Sequence, residues 1–265
     1  MSSPYKHVLI IGATSGIGAA LADKFILEGA KVIAVGRRQD RLDAFVQKHG
    51  ADKASAVKYD VTDRAGLDSF IDQIINEFPD LDCVFLNSGF QSQIRLSRPE
   101  EVDLHAFHQE METNFNRLVD LSIKLLPHLK KKPFPTALMF TGTLLAQVPA
   151  VTMPAYSASK AALTAYVTCL RRQNAGSSTK IIELWPPVVQ SKSSELHDYM
   201  GPENGRAMGM PVAEFVEKTW PHVVSGVDHI IVGAIGPEAS FLSSIQQRRE
   251  QFDMLSGLML SHFEL

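Results

Sequence analysis

Tyr156 and Lys160 stand four residues apart in Tyr156-Ser157-Ala158-Ser159-Lys160, followed by a run of helix formers from Ala161 to Tyr166 without Gly or Pro. Residues at that spacing share a helix face with Cβ atoms ~5–6 Å apart, so a phenol and an ammonium would meet there. A neighbouring positive charge favours phenolate and lowers a tyrosine pKa from its ordinary value near ~10. The expected chemistry is proton transfer to or from a reacting oxygen near neutral pH. The bland alternative is a pair of surface neighbours on an ordinary helix, and the rest of the chain must decide.

The elements that would position such a pair begin at the N-terminal end. His7 to Ile11 reads as a buried strand, and Gly12-Ala13-Thr14-Ser15-Gly16-Ile17-Gly18 follows at once. A helical stretch from Ala19 to Leu27 then stops at Gly29. Strand, Gly-rich turn and helix together suit a pyrophosphate. Glycines let the backbone approach it, and the helix N-terminus offers free N–H groups and partial positive charge. The alternative is a tight turn that merely needs glycine.

Further strands are expected at Lys31–Val35, Ala56–Tyr59, Leu81–Leu86, Thr136–Thr141, Lys180–Leu184 and His229–Ala234. Helices are expected at about 64–78, 100–129, from Tyr156, and over 212–224. This alternation predicts an α/β chain: a single Rossmann domain with a doubly wound parallel sheet of about seven strands and helices on both faces. Gly12, Arg37, Asp60 and Asn87 all fall at C-terminal strand ends, where such sheets bind ligands. Within the one domain, a dinucleotide-binding part is expected over about 5–140 and a catalytic part over about 141–236. The Gly- and Pro-broken segment of about 191–211 reads as a lid. The tail, 237–265, carries Phe252, Leu255, Met259 and Phe263 at helical spacing, to be packed on the chain itself or a partner.

Composition bounds the partners. The chain has 265 residues, 45% hydrophobic, with a formal net charge of -3, which leaves no basic footprint for nucleic acid. No apolar run approaches the ~18–20 residues a membrane span needs, and no signal peptide precedes His7. No metal-ligand spacing occurs, and Cys83 and Cys169 read as reduced core residues of a cytoplasmic protein.

Together these pieces resemble the classical short-chain dehydrogenase/reductase family over almost the whole chain. The matching residues are Gly12-x-x-x-Gly16-x-Gly18, Asp60-Val61, Asn87-Ser88-Gly89, Asn114, Thr143, Tyr156-x-x-x-Lys160 and the run Pro186-Pro187-Val188-Val189-Gln190-Ser191. The resemblance implies that Tyr156 is the general acid, that Lys160 lowers its pKa and holds the nicotinamide ribose, and that Thr143 donates to the substrate oxygen. Asn114 would position a water linking Lys160 to solvent. Asp60 and Val61 would contact adenine, and Asn87, Ser88 and Gly89 its ribose. Thr14, Ser15 and Ile17 of the turn, with Pro186, Val189 and Ser191, complete the implied cofactor contacts. Phe90, Met153 and Pro187 join Thr143 and Tyr156 as implied substrate contacts. Ile11, Leu86, Arg117 and Pro187 depart from the usual Thr, Asn, Gly and Gly. A homodimer or homotetramer is compatible with the resemblance.

The implied activity is NADP(H)-dependent hydride transfer at the carbonyl or alcohol carbon of a small, largely apolar substrate. NAD-binding relatives carry an acidic residue where Gly36 stands here, and Arg37 and Arg38 come next, where Arg accommodates a 2′-phosphate. Arg37 is the expected phosphate contact, and Arg38 reads equally well as a solvated loop residue. Two rival readings are a nucleotide- or partner-binding protein without turnover and a cofactor-assisted cyclase or isomerase. Stoichiometric oxidation of NADPH separates the first reading from both.

Overall fold

The computed structural model describes residues 2–190 and 209–262. Seven parallel strands form one sheet in the order β3-β2-β1-β4-β5-β6-β7. They are β1 (His7–Ile11), β2 (Lys31–Gly36), β3 (Ala54–Lys58), β4 (Cys83–Leu86), β5 (Thr136–Thr141), β6 (Thr179–Trp185) and β7 (His229–Ile231). The order reverses between β1 and β4, which opens a crevice at the C-terminal ends of those strands.

The central strands are apolar runs because helices cover both faces. All six residues of β5 are buried. On one face lie α1 (Gly16–Leu27) and α7 (Val212–Ser225), where Phe25 meets Trp220 edge-on with ring centroids 5.0 Å apart. The other face is covered by α3 (Leu67–Glu77), α5 (Arg117–Lys130) and α6 (Pro154–Gln173). Each fully buried Leu, Ile or Phe there contributes roughly 1.5–3 kcal/mol of transfer free energy. Ile11 and Leu86 are both fully buried in this core. α2 (Gln39–His49) follows β2.

The structure differs from the sequence expectation in several places. The helix expected from 100 to 129 is divided. A 3₁₀ turn at Pro99–Glu101 precedes α4 (Leu104–Met111), and a π turn at Glu112–Asn116 joins α4 to α5. Asp103 sets the start of α4, its carboxylate accepting from the N–H groups of His105 and Ala106 at 2.9 and 3.1 Å. Strand β4 begins two residues late, and the carboxylate of Asp82, just ahead of it, accepts from the N–H groups of Lys6 and His7. Strand β7 ends early, as Gly233 turns the chain with φ 81°. Cys169 is exposed, not a core residue: it follows exposed Ala165 by one helical turn on the outer face of α6.

The tail forms α8 (Glu238–Leu260), anchored by Phe241 against Leu144, Ala146 and Trp185. Its expected apolar stripe is not buried on the chain's own body, since Leu255 and Met259 are 56% and 53% exposed. Phe263, Ser191 and most of the expected lid lie outside the described residues. The two ends flanking that segment are paired, with Gln190 N–H on the Met210 carbonyl at 2.9 Å and Met210 N–H on that of Val188 at 2.8 Å. No described helix is long and apolar enough to cross a membrane.

Candidate active site

The Gly-rich turn leaves β1 with Gly12 at φ 90° and Gly16 at φ 58°, values at which a side chain would be strained. A Cβ on Gly12 would come within 2.9 Å of the Ser88 backbone nitrogen, and one on Gly18 within 2.2 Å of the Gly12 carbonyl oxygen. Ser15 is the N-cap of α1, its side chain makes no cap bond, and the first turn carries no acidic residue. The helix therefore presents free N–H groups and uncompensated positive charge beside a turn of bare backbone. That fits the pyrophosphate of a nicotinamide dinucleotide.

Two arginines face the same turn. Arg38 donates from Nη2 to the hydroxyls of Thr14 and Ser15, both at 2.8 Å, and from Nε to Thr14 at 3.3 Å. Arg41, in the first turn of α2, donates to the Thr14 carbonyl at 3.1 Å. Arg38 is thus not a solvated loop residue. Arg37 is 71% exposed and leans towards Asp60 at 3.7 Å. Burial and then the charges of Arg41 and Arg37 lower the Arg38 pKa, the signature of a concentrated positive patch. Asp60 also accepts from the backbone and hydroxyl of Thr62, and Val61 is buried behind it.

A chain of hydrogen bonds joins this turn to α6. The Asn87 amide donates to the Gly12 carbonyl at 3.1 Å and accepts from the Thr141 hydroxyl at 2.8 Å. The Thr141 carbonyl in turn accepts from Lys160 Nζ at 2.7 Å. Three strand ends are thereby tied to one ammonium. Gly89 leaves room for that group: a Cβ there would sit 3.0 Å from Asn114 Oδ1 and 3.6 Å from Lys160 Nζ.

Lys160 Nζ lies 5.9 Å from the Tyr156 ring centroid, so the i, i+4 helix pair forms as expected. Its electrostatics do not follow the simple expectation. Burial pushes Tyr156 up to about 12, with Glu110 adding to the rise and a hydrogen bond to Thr143 opposing it. Burial also brings Lys160 down to about 8. Burial outweighs the neighbouring ammonium, so the Tyr156 pKa rises where that of an isolated pair would fall. Tyr156 is a neutral phenol at physiological pH, the form that donates a proton. Thr143 is buried beside it and accepts from Leu145 N–H at 3.3 Å.

Asn114 sits in the π turn, fully buried. Its amide accepts from Phe90 N–H at 3.0 Å and donates to the Phe90 carbonyl at 2.8 Å and the Ser159 hydroxyl at 3.2 Å. It fixes the strap after β4 on which Phe90 stands. Phe90, Val148, Val151 and Val188 expose apolar surface on the loops after β4, β5 and β6, while Met153 and Pro186 are buried and Pro187 and Val189 half-buried.

Sequence reasoning missed Arg41, Ser159, Glu110 and Glu183. Two had a visible signal. Glu183 interrupts the apolar strand Ile181-Ile182-Glu183-Leu184-Trp185, and a lone charge there is rarely buried without a partner. Glu110 precedes Asn114 by four residues, as Tyr156 precedes Lys160. No described residues form a cluster that could hold a metal ion.

A family model described as short chain dehydrogenase matches residues 6–198. An uncharacterized oxidoreductase, DltE, of Bacillus subtilis (strain 168) is 34% identical over 191 residues, 72% of this chain and 74% of that protein. A short chain dehydrogenase/reductase from Burkholderia phymatum, solved in complex with NAD, superposes with a TM-score of 0.78 at 18% identity, covering 96% of each chain. A short chain dehydrogenase from Burkholderia cenocepacia J2315, solved with NADP, superposes with a TM-score of 0.75 at 23% identity, covering 94% of this chain and 97% of the other.

Proposed function

The chain belongs to the short-chain dehydrogenase/reductase family of oxidoreductases, and from that premise we propose that it is an NADP(H)-dependent reductase of small, largely apolar carbonyl compounds. The observation that carries this reading is the shared location of three sets of groups at the C-terminal edge of one sheet. These are the phosphate-ready turn with Arg38 and Arg41, the Thr143–Tyr156 hydroxyl pair, and buried Lys160.

When bound, the reduced nicotinamide supplies the hydride. Gly12, Gly16 and Gly18 admit the pyrophosphate, and Thr14, Ser15, Arg38 and Arg41 hold the adenosine phosphate. Asn87 and Gly89 line the path to Lys160, whose ammonium holds the nicotinamide ribose. Thr143 donates to the substrate oxygen, and Tyr156 protonates it as negative charge develops. A pKa of about 12 leaves Tyr156 protonated and ready in the reductive direction. The exposed faces of Phe90, Val148, Val151 and Val188 supply apolar walls.

NADPH consumption against a panel of ketones, quinones and aldehydes tests the proposal, with Tyr156→Phe as control. Removing the phenolic oxygen should lower turnover by ~10²–10⁴ while NADPH still binds. A variant that turns over at the wild-type rate refutes the role of Tyr156, and NADPH that is bound but never oxidised refutes the reductase.

A further inference from the structure

Lys160 is 2% exposed, and an ammonium so buried keeps its charge only beside compensating groups. Two buried carboxyls, from elements far apart in sequence, act on it electrostatically without forming a direct ion pair. Glu183 of β6 is 1% exposed, and its Oε1 accepts from the Thr164 hydroxyl at 2.6 Å. A Cβ on Gly142 would lie 2.7 Å from that same oxygen, which places it behind the loop between Thr141 and Thr143. Glu110 of α4 is fully buried; Oε2 accepts a short hydrogen bond from the Ser92 hydroxyl, while Oε1 has no hydrogen-bond partner among the described residues.

We propose that Glu110 and Glu183 are the paired counter-ions of Lys160, positioning residues that keep its ammonium charged inside the protein. The inference rests on the reductase reading only for its consequence, because a charged Lys160 is what holds the nicotinamide ribose. Burial drives all three groups towards their neutral forms, raising both carboxyls and lowering the amine. Glu183 and then Glu110 oppose that fall at Lys160. The other groups facing the cluster are Tyr156, held protonated chiefly by burial with Glu110 adding to it, and Arg171 of α6, which favours the charged form of Glu183. Ser92 stands on the strap that Asn114 fixes through Phe90, so Glu110 and Asn114, one turn apart, clamp the same segment. The clamp ties the charge of Lys160 to the loop that carries a pocket wall.

The Lys160 titration can be followed by carbon and nitrogen NMR of lysine-labelled chain without cofactor, the resonance being assigned by its loss in Lys160→Met. Its midpoint should fall by on the order of one pH unit in Glu110→Gln and in Glu183→Gln, and further in the double variant. A purely packing role would leave the midpoint in place, and an unmoved midpoint in either single variant overturns the triad. If a Gln variant does not fold, Ser92→Ala and Thr164→Val remove only the donors that hold the carboxyls. The midpoint should still fall, and no fall in either refutes the assignment. Failure of NADPH oxidation would refute the reductase while leaving this titration to decide the counter-ions.

Discussion

Arg38 and Arg37 offer the sharpest quantitative test, because their contacts assign them unequal roles in cofactor choice. A charge-assisted hydrogen bond contributes about 1.5–3 kcal/mol. Arg38 already donates to Thr14 and Ser15. Those bonds have a charged donor too, but neutral hydroxyl acceptors, and turning towards a 2′-phosphate gives up part of them. The net contribution is then about 1–2 kcal/mol, or roughly five- to thirtyfold in affinity. Arg37, at 71% exposed with a 3.7 Å ion pair, has a contribution screened by solvent, on the order of 0–1 kcal/mol. Isothermal titration of NADPH and NADH into wild type, Arg38→Ala and Arg37→Ala measures these terms. Arg38→Ala should weaken NADPH by that factor and leave NADH nearly unchanged, with Arg37→Ala costing less than about fivefold. Equal affinities for the two cofactors in wild type, or a larger loss in Arg37→Ala, would refute the reasoning.

Thr143→Ser should keep most of the turnover, whereas Thr143→Val, of nearly the same shape, should lose ~10² of it as a donor to the reacting oxygen disappears; equal rates would point to another donor. Gly18→Ala drives a methyl to 2.2 Å from the Gly12 carbonyl and 2.5 Å from Asn87 Nδ2, so thermal melts should show a loss of about 1–3 kcal/mol, and an unchanged melting temperature would contradict the tight turn. His229, edge-on to Trp185, is pushed from its ordinary 6.5 down to about 4, chiefly by burial and then by Arg171. The unfolded chain takes up that proton first, so stability falls as pH drops from 6.5 towards about 4, by at most about 3 kcal/mol. His229→Phe should flatten that part of the melting curve against pH, and parallel curves for the two proteins would remove His229 as the cause.

Local spacing alone dictates part of this molecule. Short apolar runs such as Val8 to Ile11 and Ala137 to Phe140, bounded by Gly or Pro, read as strands buried on both faces. Gly12, Gly16 and Gly18 between strand and helix specify a bare turn, and Tyr156 with Lys160 must share a face of any helix that contains both. The tertiary structure decided what depends on groups distant in sequence. Lys160 and Tyr156 are neighbours by helical geometry, yet their proton affinities follow burial and carboxyls on α4 and β6. Arg37 and Arg38 are adjacent letters, and only the path of the chain out of β2 turns one to Asp60 and the other to Thr14. The exposure of Cys169 and of the α8 stripe was likewise illegible, since helical periodicity tells which residues share a face but not what covers it. Distances along a helix are set by backbone geometry; the dielectric and the partners around a side chain are set by every element that packs on it.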